Sequence, residues 1–332
     1  MGKENIKLKV IRTDITDPYI NMAVEESLTF KAKEGEVILF LWQNDRTVVI
    51  GRNQNPGREC NVERIEKDNI YLARRTSGGG AVYQDLGNLN FTFIAKDALY
   101  DIRKQTQVVL LACKLLKIKA ERSGINDLTV EGKKFSGQAY YSSNGYNYHN
   151  GMIMMDVNLE DMSKYLQEFK PKLKIEGIES VKPRMVNLKE YLPKMKKEKM
   201  ISWMQDSLIR AFGREYGVEV EEIQEVYFPI APKMLIEKYS SKKWLFGTQI
   251  YFEKEICHRF EWGEVQVQIS MEGENISSCR VFSDALETEM FVVIEDLLTG
   301  TKYDAALIRR IKIPSNISAV AYEILHWIAN SI

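Results

Sequence analysis

The chain has 332 residues, 45% of them hydrophobic, which exceeds one typical domain and suffices for a buried core, so two domains of unequal size are predicted. Lysine plus arginine equal aspartate plus glutamate at 46 each, so the formal net charge is zero. The overall electrostatic field therefore does not favour binding to nucleic acid or an anionic membrane, and any anion-binding site must be local. No apolar run approaches the roughly 18 residues that span a bilayer, and MGKENIKLKV lacks the apolar core of a signal peptide, which indicates a cytoplasmic protein.

Cysteine and histidine are spread along the chain without the spacing of a metal or disulfide site. Cys60, Cys113, Cys257 and Cys279 form no C-x-x-C pair, so each is expected to be a buried small hydrophobe. Three histidines are too few for a histidine-rich metal centre, and the sequence has no G-x-S-x-G nucleophile elbow.

The first elements are predicted to be a strand over residues 5–14 and a helix that runs to about Ala32. Asp17 is the expected N-cap of this helix and Pro18 its first residue. The apolar positions that follow are typical of a core helix. Asn21 and Glu25 are candidates for a supporting role at a binding site.

The next stretch, EVILFLWQNDRTVVIGRNQNP, is interpreted as a hairpin of two apolar strands around the turn QNDR. Its second strand ends at Gly51, after which Arg52 and Asn53 leave the sheet together. Polar side chains at a strand end are either binding groups or part of a solvated turn, and the pattern leaves both readings open.

A short helix over residues 61–68 and the strand NIYLARR lead into RRTSGGGAVYQDLGNLN over residues 74–90. Glycine loses more conformational entropy on folding than alanine, which destabilises the folded chain by about 1 kcal/mol per residue. Three glycines in a row are therefore tolerated mainly where the backbone approaches a ligand. Arg74, Arg75 and Ser77 add donors and fixed positive charge, which suits a phosphate or a carboxylate. A plain glycine-rich turn is the alternative, and the G-x-x-x-x-G-K-[ST] phosphate loop is missing from the sequence.

Residues 123–157 contain two strand-like pieces around a lysine pair. Lys133 and Lys134 face opposite sides of an alternating strand, so one can point to solvent while the other points into a pocket. A lone lysine is more often a solvated surface group. Met152, in the second piece, is more simply a strand-core residue than part of a sulfur site.

The remaining elements are helical and then strand-rich. IRKQTQVVLLACKLLKI and residues 200–216 are amphipathic, and the lysines between residues 189 and 199 are more typical of a solvated face or loop than of a patch for an acidic partner. The sequence pattern changes from helical to strand-rich at residues 240–247, so the domains are predicted to be 1–245 and 246–332. The second domain alternates at Val265, Val267 and Ile269, turns at Gly273, and ends in helices.

RRTSGGGAVYQDLGN resembles the signature loop of the lipoate–protein ligases, within the biotin/lipoate ligase superfamily. The family motif of lysine, apolar residue, serine, glycine and a small residue maps onto Lys134, Phe135, Ser136, Gly137 and Ala139. The resemblance therefore makes Lys134 the lysine that points inward.

Further segments carry the same resemblance over essentially the whole chain. Asn126 and Asp127 match the block before the lysine, where Asp127 would hold a metal, orient the lysine or only cap a turn. YHNGMIMMD has Asn150 and Met152 where the family has a second histidine and a threonine, a departure that bears on substrate range. SVKPRMVNLKEYL is also similar to the family, and the C-terminal part resembles the accessory domain of the bacterial enzymes.

The resemblance implies an α+β fold, with mixed and antiparallel sheets packed against helices in the catalytic domain and a small α+β C-terminal domain. It implies a ligase that converts lipoate and ATP to lipoyl-AMP and passes the lipoyl group to a lysine of a lipoyl-carrier domain. Such carriers are 2-oxoacid dehydrogenase subunits and the glycine cleavage H protein. ATP and Mg²⁺ are the implied substrate and activator, with no tightly bound prosthetic group.

The resemblance also implies residue roles. Lys134 is the catalytic group between the lipoate carboxylate and the α-phosphate, whose repulsion at about 4 Å is on the order of 4 kcal/mol at an effective dielectric of about 20. The implied nucleotide-binding residues are Arg75, Gly80, Ala81, Val82, Tyr83 and Lys134. Lipoate binding falls to Lys134, Ser77, Gly78, Gly79 and His149. The supporting set is Arg52, Asn88, Asn126, Asp127, Ser136, Gly137 and Arg184, with Asp127 as the candidate metal ligand.

Three alternatives to the ligase remain, and each makes its own demand on the sequence. An ATP-independent octanoyl or lipoyl transferase of the same fold would need a cysteine nucleophile, and none lies in the glycine loop, near Lys134 or over residues 145–155. A non-catalytic acyl-binding protein would be favoured by loss of Lys134, which is present. A biotin ligase is disfavoured by the RRTSGGGAVYQDLGN pattern.

Overall fold

The computed structural model describes residues 6–167, 185–226, 230–314, 317 and 319–332. The strands are β1 (Lys7–Thr13), β2 (Glu36–Trp42), β3 (Thr47–Ile50), β4 (Tyr71–Arg74), β5 (Val82–Gln84), β6 (Asn88–Lys96), β7 (Ala120–Ser123), β8 (Asp127–Val130), β9 (Lys133–Ser143), β10 (Tyr146–Met154), β11 (Val220–Val226), β12 (Lys254–Phe260), β13 (Gly263–Glu272) and β14 (Asn275–Ser283). The helices are α1 (Pro18–Lys31), α2 (Pro56–Glu59), α3 (Val62–Lys67), α4 (Ile102–Leu115), α5 (Leu159–Tyr165), α6 (Lys197–Tyr216), α7 (Lys233–Ser240), α8 (Lys242–Phe246), α9 (Glu289–Leu298), α10 (Ala305–Ile308) and α11 (Val320–Asn330).

The largest sheet has eight strands in the order β11-β1-β2-β6-β10-β9-β8-β7. β1 runs parallel to both of its neighbours, and the other pairs are antiparallel. Helices α4 and α6 cover one face of this sheet and α1 covers part of the other. The central strand β2, EVILFLW, is buried at every residue because both faces are covered. The α+β fold expected from the sequence is confirmed.

Helix α1 begins as the sequence predicted. Asp17 Oδ1 accepts hydrogen bonds from the backbone N–H groups of Tyr19 at 2.8 Å and Ile20 at 3.2 Å, and Pro18 is the first helical residue. These bonds satisfy two of the donors that a helix leaves free at its start. The helix is fixed at this end, which holds Glu25 over the sheet.

A smaller sheet, β4-β3-β5, carries the glycine loop between β4 and β5. The predicted hairpin over residues 36–51 is wrong, because β2 pairs with β1 and β6 whereas β3 pairs with β4 and β5. The polar residues between β2 and β3 explain the difference. Gln43 Nε2 donates to the carbonyls of Leu86 and Asn88, so this connection crosses to the β5–β6 segment and does not close a hairpin.

The C-terminal part has its own sheet, β12-β13-β14, and its own hydrophobic core. The predicted alternation is confirmed, since Val265, Val267 and Ile269 are fully buried against α9 and α11. Gly273 turns the chain between β13 and β14 with φ of +62°, a left-handed conformation that favours glycine.

The expectation that all four cysteines are buried holds for three of them. Cys60, Cys113 and Cys279 are buried, whereas Cys257 is exposed on β12, an edge strand of the C-terminal sheet, where its Sγ accepts a hydrogen bond from Arg58 at 2.8 Å. None of the described helices has the length and apolarity to cross a membrane.

Candidate functional site

The glycine loop closes over a cavity of about 140 Å³ between the small sheet and strands β9 and β10 of the large sheet. Several predicted site residues line it together: Arg75, Gly79, Gly80, Ala81, Val82, Asn126, Lys134 and Gly137. Other predicted residues lie outside its lining: Arg52, Ser77, Gly78, Tyr83, Asn88, Asp127, Ser136 and His149. Arg184 falls outside the described residues.

Lys134 lies near the start of β9 and faces the cavity, whereas Lys133 does not line it. Register shifts between β8 and β9, where Leu128 pairs with Ser136 and Thr129 with Lys134, so Phe135 is an extra residue in a β-bulge. The bulge lets Phe135 and Ser136 both be buried while Lys134 remains on the cavity side. The direction in which the Lys134 side chain points therefore depends on the bulge at Phe135 as well as on strand alternation.

Lys134 Nζ lies 2.7 Å from Asp127 Oδ1 on the neighbouring strand. The Lys134 side chain is 22% exposed and the Asp127 side chain 30% exposed, so the pair is partly open to solvent. Among the described residues no three His, Cys, Asp or Glu side chains are grouped to hold a metal, and Asp127 is engaged by the lysine. Asp127, the candidate metal ligand, is thus paired with Lys134 in this structure.

The two consecutive arginines before the loop have different environments. Arg75 is buried against the loop and donates to the carbonyls of Gly78 at 2.7 Å and Gly80 at 2.8 Å. Burial lowers the pKa of Arg75 to about 10, so it keeps its charge at neutral pH. Arg74 points away and donates to carbonyls on the Gly51–Gln54 turn and to Leu245.

Two glycines of the loop are required by its shape. Gly79 has φ of +88°, in the region that side chains with a Cβ rarely adopt. A Cβ on Gly78 would overlap the carbonyl oxygens of Ala285 and Leu286, and the Gly79 N–H donates to Ala285 O at 2.9 Å. The C-terminal part thus contacts the loop directly, and one of the loop donors is already used by that contact.

A network of buried polar side chains centres on Glu25, which lines the cavity together with Asn150. Thr92 Oγ1 donates to Glu25 Oε1 at 2.6 Å and Asn150 Nδ2 donates to the same oxygen at 3.2 Å. Ser77 Oγ donates in turn to Asn150 Oδ1 at 3.4 Å, which ties the loop to β10. Burial raises the pKa of Glu25 to about 7, against the opposing effect of these two hydrogen bonds. Asn150, the departure noted in the sequence, is thus a member of this network.

His149 lies on the opposite face of β10 from Asn150, as strand alternation requires. Its ring packs among Phe91, Phe93 and Tyr140, and Nδ1 lies 3.2 Å from Gln105 Oε1. Burial lowers the pKa of His149 to about 3, so the imidazole is neutral at pH 7. The histidine predicted to bind lipoate belongs to the layer between the sheet and α4, away from the cavity.

One part of the cavity wall is apolar and is formed by Met22, Trp42, Val49 and Met152. The sequence analysis did not name Trp42, Gln84 and Asn90 as lining residues: Trp42 ends an apolar strand, and Gln84 and Asn90 lie within residues 74–90 but were given no role there. Strand alternation alone could not assign their facing before the partner strands were known. The lining of the cavity therefore combines one ammonium group, a glycine loop and an apolar wall.

The class of enzyme to which this α+β fold and cavity belong is shown by comparison with known families. The sequence model of the lipoyl protein ligase A/B catalytic domain matches residues 17–212, and that of the bacterial lipoate protein ligase C-terminus matches residues 249–322. The first match covers more than half of the chain. The chain belongs to the lipoate–protein ligase family and is a ligase enzyme.

Solved structures agree with this membership. A P. falciparum LipL1 structure in complex with lipoate is similar with a TM-score of 0.83 and 25% identity, over 97% of this chain and 99% of that one. A bipartite lipoate protein ligase from Thermoplasma acidophilum, described with its E2 lipoyl domain, has a TM-score of 0.62 and 23% identity over 75% of this chain and 100% of that one. A lipoate-protein ligase A bound with ATP has a TM-score of 0.59 and 23% identity over 73% of this chain and 99% of that one.

Proposed function

We propose that the protein activates lipoate with ATP and transfers the lipoyl group to a lysine of a lipoyl-carrier domain. In the first step a lipoate carboxylate oxygen bonds to the α-phosphorus of ATP and pyrophosphate leaves. In the second step the carrier lysine amine, having lost a proton, bonds to the acyl carbon and AMP leaves. The mixed anhydride provides the leaving group that a free carboxylate lacks.

The observation that carries this proposal is that Lys134, the glycine loop and several apolar side chains line the same cavity. The carboxylate and the α-phosphate repel each other, and an ammonium group between them removes that repulsion as charge develops. Asp127, 2.7 Å from Lys134 Nζ, would keep the ammonium in position before the substrates arrive. Apolar residues such as Trp42 and Met152 would receive the acyl chain.

For the nucleotide we propose the glycine loop as the main binding element. Gly80, Ala81 and Val82 line the cavity, while Arg75 holds the loop in shape through the carbonyls of Gly78 and Gly80. The ATP-bound ligase noted above has the same fold and supports ATP as the co-substrate. The side chains of Tyr83 and His149 are buried outside the cavity, so their proposed share in binding is to support the strands that carry it.

We also propose that residues 1–245 form the catalytic domain and residues 246–332 the accessory domain. The separate C-terminal core, which begins at Val265, supports the division. The proposed acceptors are lipoyl domains of 2-oxoacid dehydrogenase subunits or the glycine cleavage H protein, in the cytoplasm. The Thermoplasma acidophilum ligase structure, described with an E2 lipoyl domain, supports an acceptor of the first kind.

The thioester transferase is the alternative that the cysteines disfavour. None of the four cysteines lines the cavity. Burial raises the pKa of the Cys60, Cys113 and Cys279 thiols to about 12, so thiolate nucleophiles are scarce at neutral pH. Cys257 is exposed but lies on the C-terminal sheet.

The test is mass spectrometry of a lipoyl domain incubated with the enzyme, lipoate and ATP. A mass increase of one lipoyl group that requires ATP, with AMP and pyrophosphate as co-products, is the expected result. Lipoylation that proceeds without ATP from a lipoylated donor protein, with an acyl group trapped on an enzyme cysteine, would assign the protein to the transferases instead.

A further inference from the structure

A second cavity, of about 490 Å³, lies at the junction of the glycine-loop sheet, helices α7 and α8, and the C-terminal part. No residue that lines it also lines the first cavity. Arg74 and Arg75 are adjacent in sequence, and each lines a different one of the two cavities. The proposed ligase reaction uses only the first cavity, which Arg75 lines.

The wall of the second cavity is strongly cationic. Five of its side chains are basic and one is acidic: Arg52, Arg74, Lys238, Lys243 and Arg280, with Glu295. Burial, followed by the charges of Arg52 and Arg280, lowers the pKa of Arg74 to about 9. The cations therefore act on one another inside a shared, partly desolvated space, which favours a bound anion.

Several of these cations retain donor capacity. Arg52 stacks over the Trp244 ring with its Cζ 4.5 Å from the ring centroid, and no described residue accepts a hydrogen bond from its guanidinium. Arg280 Nη1 lies 3.3 Å from Glu295 Oε2, but its buried Nε has no partner among the described residues. Lys243 has no side-chain partner in the described part of the chain, and its side chain is exposed at the cavity. Arg52 and Lys243 therefore retain hydrogen-bond donors that can bind the acceptor atoms of a ligand in this cavity.

We propose that this second cavity is a binding site for a phosphate-bearing small molecule, held by Arg52, Lys243 and Arg280. A phosphate carries more negative charge and more acceptor oxygens than a carboxylate, and guanidinium groups match its geometry. The volume lies within the range of ligand sites, and Trp244, Phe282 and Phe291 supply an apolar side for the rest of the molecule. The site would contact both the loop-bearing sheet and the C-terminal part, so its ligand would link them.

The experiment is isothermal titration calorimetry of the full chain with inorganic pyrophosphate and, separately, with AMP, at constant ionic strength. Lys243→Ala removes one exposed cation and is expected to weaken binding about tenfold, the effect of one charged hydrogen bond. Lys242→Ala is the matched control, because Lys242 is the exposed neighbour in sequence and does not line the cavity. Arg52→Gln should weaken binding to a similar degree, and thermal melts of each variant would verify folding.

Pyrophosphate is also a product of the proposed adenylation, so the titrations are repeated in Lys134→Ala protein. Binding that persists there and depends on Lys243 but not on Lys242 supports the second site. If AMP shows the same Lys243 dependence, the ligand class is a nucleotide; if pyrophosphate alone does, it is an inorganic anion. Absence of binding of both probes, or equal affinities in Lys243→Ala and Lys242→Ala, would overturn the proposal.

Discussion

Replacing Lys134 separates a catalytic role from a structural one, because the two roles predict losses of very different size. The Lys134–Asp127 pair is partly exposed, and such ion pairs contribute about 0–1 kcal/mol to stability. A donor that stabilises charge in a transition state contributes about 2.7–4 kcal/mol, or roughly 10²- to 10³-fold in rate. We therefore expect Lys134→Ala to lose most adenylation activity while its melting temperature falls by no more than about 2–4 °C.

The assay is pyrophosphate release from ATP and lipoate, with thermal melting measured on the same samples. Lys133→Ala is the matched control, since Lys133 is the adjacent residue of β9 and does not line the cavity. It should retain nearly full activity. Unchanged pyrophosphate release in Lys134→Ala together with loss in Lys133→Ala would refute the assignment, and equal losses in both would reduce the pair to a general effect on β9.

Three further outcomes are expected. Serine in place of all four cysteines should leave ATP-dependent ligation measurable, with some loss of stability from buried hydroxyls; complete loss in a variant that still folds, or an acyl-thioester trapped on the native enzyme, would contradict this. Asn150→His combined with Met152→Thr should change the octanoate-to-lipoate preference more than the maximal rate, since both side chains line the cavity and one methylene of fit is worth about 1–3 kcal/mol; equal preference ratios would reject it. Glu25 binds its proton more tightly in the folded chain, so native stability should fall as pH rises from about 4.5 to about 7, by up to about 3 kcal/mol relative to Glu25→Gln; parallel urea-unfolding profiles for the two proteins across this range would contradict the assignment.

Features with a local cause could be predicted from the sequence. The start of α1 depends on the Asp17 side chain and on Pro18, which are neighbours in the chain. The buried stripe at Val265, Val267 and Ile269 follows from strand alternation alone. Both predictions use short-range geometry and were confirmed.

Features that depend on residues distant in the sequence could not be predicted from the sequence. The apolar runs of β2 and β3 indicated strands but carried no information on which strands they join, so the hairpin prediction was wrong. The bulge at Phe135 arises from the register between β8 and β9, and His149 faces the helix layer because of the register of β10. Membership of the family was predicted from the glycine-loop motif, whereas the facing of single side chains required the fold.

The parallel pairing of β1 with β11 joins the two ends of the first 226 residues, since Thr13 Oγ1 donates to Val226 O across 213 positions of sequence. β11 lies beyond residue 212, where the catalytic-domain match ends. A chain cut at residue 212 would leave the backbone of β1 as an open edge, which invites pairing between molecules and aggregation. A fragment that keeps this edge covered therefore extends at least through Val226, and its folding requires a long-range closure.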